Sequence, residues 1–166
     1  MDLVAQIRGG LITNVRYYPG DAARATDEEL CAMISHLDCS GRDLTSLPLL
    51  PNILWLICAS NPLMMLPFMP RLQYLDCSFT DVAVLPEFPI LITLICVGCP
   101  VIHLPCYPLL EVLDCRESCL MELPALHRVV VSTSAVTRRS PSSQYSPRWI
   151  LLWIMLGIFL LQQMIY

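Results

Sequence analysis

Two cysteine pairs, Cys96-x-x-Cys99 and Cys115-x-x-x-Cys119, carry the sharpest chemical possibility in this chain. Thiolates at such short spacings can hold a zinc ion tetrahedrally, and accessible thiolates can sense oxidants. The opposing reading is packing, because a buried cysteine behaves as a small hydrophobe. Three histidines, His36, His103 and His127, share no spacing with a serine or aspartate that would build a nucleophile and its base. The chain is therefore expected not to be an enzyme, and to need no cofactor and no small-molecule substrate. Three aspartates, Asp38, Asp76 and Asp114, recur every 38 residues, each between a leucine and a cysteine. Which of these side chains can meet depends on the elements that carry them.

Those elements are copies of one unit. A shift of 19 residues aligns Leu37-Asp38-Cys39 with Leu56-Ile57-Cys58, Leu75-Asp76-Cys77, Leu94-Ile95-Cys96 and Leu113-Asp114-Cys115. Ten places after each leading leucine stands another, Leu47, Leu66, Leu85, Leu104 and Leu123, each followed by proline. A second proline follows at Pro51, Pro70, Pro89 and Pro108, and the fifth copy has His127 instead. Proline fixes φ and removes a donor, so this limb is read as extended backbone outside any ladder. Ile53, Leu72, Leu91 and Leu110 supply an apolar residue three before each following unit.

The pattern L-x-x-L-x-C-x-x-N-x-L resembles the leucine-rich repeat, and its 19-residue period and L-P-x-x-P limb look most like the short repeats of secreted bacterial effectors and some large DNA viruses. The resemblance covers about residues 34 to 131. It departs at the asparagine slot, where only Asn61 fits and Arg42, Thr80, Cys99 and Ser118 stand in the other units. It implies a repeat solenoid: a parallel β ladder of about five repeats (37–55, 56–74, 75–93, 94–112, 113–131) with extended proline-rich convex limbs. It also implies protein binding, with host–pathogen contact as one setting. A ubiquitin-ligase activity found in some such effectors needs a Cys-x-Asp motif, which is absent from the sequence.

A solenoid needs caps at its ends. Thr26-Asp27-Glu28-Glu29 ahead of Leu30, Met33 and Ile34 is a capping-box signature, which predicts a capping helix over 26–36. In the N-terminal segment 1–25, LVAQIRGGLITNVRYY reads as two short strands about a Gly-Gly turn. Val129-Val130-Val131 reads as the last strand, after which Ser132 and Ser134 replace the inward leucine and cysteine and the stack is expected to stop.

Residues 132–148 lose the period and become rich in Ser, Pro and Arg, a linker composition. Residues 149–166, WILLWIMLGIFLLQQMIY, would span ~27 Å as a helix, enough for a thin bilayer. Trp149, Trp153 and Tyr166 suit its interfaces, and Arg138, Arg139 and Arg148 precede it. The expectation is a single-pass C-terminal transmembrane anchor with the repeats facing the cytosol. Asp2 and the Gly9-Gly10 break argue against a cleaved signal sequence, so the nine cysteines are read as reduced. A net charge of −4 with no basic stripe in the first 130 residues excludes a nucleic-acid binder. All ten basic residues are arginine, which fits either genome composition or escape from lysine-directed ubiquitination.

Period-two alternation turns the leading Leu and the Cys inward and leaves their neighbours on the concave face. The expected partner-binding residues are His36, Asp38, Trp55, Ile57, Tyr74, Asp76, Thr93, Ile95, Val97, Asp114 and Arg116. The aspartates, two strand spacings or roughly 9.6 Å apart, lie too far from one another to share a metal ion. The favoured function is a membrane-anchored scaffold that binds a cytosolic protein. The alternative is a metal-binding or redox-sensing membrane protein using Cys96, Cys99, Cys115 and Cys119.

Overall fold

The structure is a computed structural model that describes residues 2–121 and 131–133. Two helices, α1 (Leu3–Arg8) and α2 (Asp27–Met33), precede or interleave with seven strands: β1 (Val15–Tyr17), β2 (Ile34–Asp38), β3 (Trp55–Ile57), β4 (Tyr74–Asp76), β5 (Thr93–Ile95), β6 (Val112–Asp114) and β7 (Val131–Thr133). They form one sheet in chain order; β1 pairs antiparallel with β2, and every later pair is parallel. The result is a parallel-strand β-solenoid of about 4 turns.

The register follows the 19-residue period without slippage: Leu37 faces Leu56, then Leu75, Leu94 and Leu113. Strands of three to five residues suffice because the ladder is held mainly by what lies beneath it. The leading leucines, the cysteines Cys39, Cys58, Cys77, Cys96 and Cys115, and the column Ile53, Leu72, Leu91 and Leu110 are all buried. A further inward column, Leu50, Met69, Phe88 and Tyr107, comes from the proline-rich limb. Burying one leucine of this kind contributes ~1.5–3 kcal/mol, and each turn contributes several such residues to a core shared with its neighbours. The limb itself carries no strand between Leu47 and Asn52, Leu66 and Arg71, or Leu85 and Ile90.

The front cap differs from the expected hairpin. In place of a first strand the chain forms α1, because the Asp2 side chain accepts a hydrogen bond from the Ala5 amide at 2.7 Å and Leu3, Val4 and Gln6 turn inward together. Only the second expected strand exists, as β1. The capping helix forms on its predicted box: Thr26 Oγ1 accepts from the Glu29 amide at 3.3 Å, while Glu29 Oε2 accepts from the Thr26 amide at 2.8 Å. It ends at Met33 rather than 36, since Ile34 already has extended backbone and opens β2. At the far end the ladder closes on the expected last strand, displaced by two residues. The β7 strand lies at 131–133, not 129–131, with Ser132 in the register position of Leu113. Among the described residues no helix is long and apolar enough to cross a membrane, and the expected anchor at 149–166 lies outside them.

Candidate functional site

The parallel register sets the outward residues of the strands side by side. His36, Trp55, Tyr74, Thr93 and Val112 form one row; Asp38, Ile57, Asp76, Ile95 and Asp114 form the next. All are half-buried except Trp55, which is 41% exposed. The Trp55 and Tyr74 rings stack with centroids 4.0 Å apart and planes 17° apart, and His36 continues the stack from Trp55 at 6.3 Å. An aromatic stack of this kind loses little side-chain entropy on binding and presents a large contact area.

The stack is polar at both ends. Ser35 Oγ donates to the Arg16 carbonyl at 3.0 Å and lies 3.0 Å from His36 Nδ1, so it accepts a hydrogen bond from that nitrogen. Burial and the Asp76 charge raise the Tyr74 pKa, so its phenol is a neutral donor at physiological pH. Beside β1, a hollow of about 500 Å³ is lined by Asn14, Arg16, Asp38 and Trp55 among others. The N-terminal segment extends the ladder edge-on here and leaves Trp55 exposed.

Just past the strands, Asp38 Oδ1 accepts from the Ser40 hydroxyl and amide at 2.8 and 3.1 Å, and Asp76 Oδ1 accepts from the Ser78 amide at 3.0 Å. Asp114 is held by Arg116 through three guanidinium contacts of 2.9 to 3.2 Å. Val97 is half-buried and its amide donates to Ser78 Oγ at 3.3 Å. The predicted residues thus come together on one face, with Arg116 at its margin and neutralised by Asp114.

The turn after each strand uses one left-handed residue at the same repeat position: Gly41, Ser60, Phe79, Gly98 and Glu117, with φ between 53° and 71° in all positive-φ residues. The next position is the asparagine slot. Asn61 accepts from the Arg42 and Leu44 amides at 2.9 and 3.0 Å and donates to the Cys39 and Cys58 carbonyls at 2.9 Å, so one side chain ties two turns. Thr80 and Ser118 donate to the Cys77 and Cys115 carbonyls at 2.7 Å. The turn at Arg42 departs from the others, since Asp43 is left-handed as well (φ 53°) and its counterparts Pro62, Asp81, Pro100 and Cys119 are not; Asn61 holds the Arg42 amide, and Gln6 Nε2 of α1 donates to its carbonyl at 3.0 Å.

The four cysteines of the alternative reading do not converge. Cys96, Cys99 and Cys115 are buried and Cys119 is exposed, and among the described residues no group of three or more His, Cys, Asp or Glu could hold a metal ion. Burial pushes the Cys39 thiol up to about 12 and raises the Cys58 and Cys96 thiols as well, while Cys77 is raised by its hydrogen bond with Cys99 and then by burial. Donors from Cys77 and Thr80 pull Cys99 down to about 6. Its sulfur nevertheless lies 2.9 Å from the Cys77 carbonyl, a contact that requires the proton on sulfur. Cys99 stands in for the asparagine as a neutral donor.

An apolar ridge lies outside the outward columns expected from strand alternation. Met64, Met65, Val84, Ile102 and Met121, eight or nine places after a leading leucine, are 43% to 77% exposed. Their signal was available: they flank the buried column Leu63, Val82, Val101 and Leu120, where a soluble solenoid normally carries polar residues. A second hollow of about 730 Å³, lined by Leu3, Val4, Cys31, Leu47 and Leu49 with Asp2, Asp27 and Glu28, lies where the cap meets the first limb. No family model, no curated protein and no solved structure matches this chain.

Proposed function

We propose that this chain is a leucine-rich-repeat scaffold that binds a cytosolic protein partner through the concave face of its strand ladder and is held at a membrane by residues 149–166. The observation that supports it best is the His36–Trp55–Tyr74 stack, set by the ladder register with Trp55 exposed between two half-buried rings. Apolar aromatic area left open at the centre of a rigid face is where interface energy concentrates, and truncating such anchors typically costs ~2 kcal/mol or more. The apolarity of 149–166 supports the anchor, and the arginines before it support a cytosolic solenoid. Binding rather than catalysis is favoured because the face combines stacked rings, isoleucines and carboxylates, and because the hydroxyl in contact with its imidazole, that of Ser35 beside His36, donates to the Arg16 carbonyl and not to the ring.

The test is proximity labelling in the native cell with the parent and a Trp55→Ala/Tyr74→Ala variant. The double variant is expected to keep its circular dichroism and its membrane fraction while losing the labelled partners. An unchanged partner set from a folded variant would reject the concave face as the binding surface. A chain ended at Arg148 is expected to stay in the supernatant after carbonate extraction while the full chain pellets. Pelleting of both would assign the membrane contact to the solenoid instead.

A further inference from the structure

The open face carries carboxylates on alternate strands, and they differ in what holds them. Asp114 is already paired with Arg116. Asp38 and Asp76 receive only local serine donors, and among the described residues neither forms an ion pair. Asp76 lies next to Ile57 across the ladder and two residues from Tyr74, so an acceptor and an aromatic stack border the same spot. A guanidinium suits that spot: its planar fork can take a carboxylate through two hydrogen bonds, and its face can lie on an aromatic ring.

We propose that this face binds an arginine-bearing extended segment, and that its resident occupant is the chain's own 134–148, with Arg138 and Arg139 at Asp76. The inference rests on the concave face being the partner surface; the tethered segment then competes with the partner. Charge supports the match. Residues 1–133 hold all fourteen acidic residues and seven arginines, a net −7, while 134–148 hold three arginines and no acid, a net +3; the sum is the −4 of the whole chain. Reach supports it too. Thr133 pairs with Asp114, which places it three strands from Asp76, ~14 Å away. The five residues from 133 to 138 extend to at most ~16–18 Å, so Arg138 is the first cation of the segment that can arrive. Asp38, two strands further at ~24 Å, is beyond the backbone reach of that pair.

The absence of lysine provides the experiment. In the full chain reconstituted in bilayer nanodiscs, Arg139→Lys introduces a single ε-amine, and a zero-length carbodiimide joins an amine only to a carboxylate in contact with it. Peptide mass spectrometry is expected to find the new amide mainly at Asp76. The yield is expected to fall at least tenfold with Asp76→Asn, and several-fold between ~0.1 and ~1 M salt, which shortens the screening length from ~10 to ~3 Å. Arg138→Lys provides an independent second position. Coupling spread over Glu111, Glu117 and Glu122, or absent from Asp76 in both variants, would overturn the proposal. So would coupling only between heavy-isotope and light-isotope copies in a mixed sample. If coupling at Asp76 fails while Trp55→Ala/Tyr74→Ala still abolishes partner labelling, the partner surface stands and the tethered occupant falls. If coupling succeeds while labelling is unaffected by the double variant, the face is an internal dock and the partner surface lies elsewhere.

Discussion

Asn61→Ala is the substitution that most directly measures how the turns are tied together. The side chain is 2% exposed and makes five hydrogen bonds to backbone groups of two adjacent turns. One of its partners, the Ala59 carbonyl, also receives the Gly41 amide and stays satisfied. The Arg42 and Leu44 amides and the Cys39 and Cys58 carbonyls lose the only partner they have among the described residues. An orphaned buried group costs ~1–3 kcal/mol, and water reaches the half-buried Arg42 amide, so the variant is expected to lose ~3–5 kcal/mol. Ser118→Ala removes one bond to the Cys115 carbonyl, which the Ser118 amide continues to serve at 3.3 Å, and is expected to lose ~1 kcal/mol or less. Thr80→Val removes one bond to the Cys77 carbonyl, which Cys99 continues to serve, and is expected to lose ~1 kcal/mol or less. Urea unfolding of the three variants, followed by far-ultraviolet circular dichroism, yields the ranking without dependence on the absolute scale. If Asn61→Ala and Ser118→Ala shift the midpoint equally, the two-turn tie is not what stabilises the ladder.

Leu75→Ala, at the fully buried centre of the ladder, is expected to lose ~2–5 kcal/mol in the same assay; a loss under ~1 kcal/mol would mean the register is wrong. Ser60→Gly relieves a left-handed residue and is expected to stabilise by ~1 kcal/mol, whereas Gly98→Ala adds strain there and drives a methyl to within 2.8 Å of the Phe79 ring; a thermal melt that does not separate the two would refute this backbone assignment. Of nine cysteines, Cys106 and Cys119 are exposed and are expected to take iodoacetamide quickly at neutral pH, the other seven only on unfolding; rapid labelling of Cys99 would show it to be a thiolate. The Thr26 amide, with its hydroxyl, holds Glu29 below the ordinary value of 4.5, so this contribution is present above that value and is lost as pH falls through the lower folded value. Acid titrations of the parent and Glu29→Gln should then diverge below about pH 4.5, and superimposable curves would count against the capping box.

The ladder was legible because one period governed it. Any window containing Leu-x-Cys predicted the same pairing, and β2 to β6 pair in that register. Positions outside the period were harder. The stretch Leu3–Arg8 has too few residues to separate strand alternation from one helical face, and the decision falls to Asp2, a cap that hydropathy does not register. The last strand begins at 131 and not at 129 because ladder pairing, and not the β propensity of three valines, sets where β7 begins. The left-handed turn position was hidden because Ser60, Phe79 and Glu117 occupy it as well as glycine. The first asparagine slot was unreadable locally, since its carbonyl is served by Gln6, 36 residues upstream. The outward columns followed from alternation, but the exposed methionines did not, because nothing in a leucine count separates an inward apolar residue from an outward one.

The proline-rich limbs also decide how the molecule yields. On the strand side each turn is bonded to the next through a continuous ladder, and Cys39, Gly41, Cys58 and Ser60 extend those bonds past the strands. Across the limbs at 64–70 and 83–89, among the described residues, no backbone hydrogen bond joins one turn to the next, and spacing there is kept by side chains such as the Phe88–Tyr107 stack. Such a coil is an anisotropic spring: stiff to shear and stretch along its ladder, compliant where side-chain contacts such as the ring stack and the Tyr107 hydroxyl on the Pro86 carbonyl resist separation. Its softest motion opens or closes the limbs about the ladder as a hinge line. The curvature of the strand face can then adjust to what lies in it while every rung remains paired.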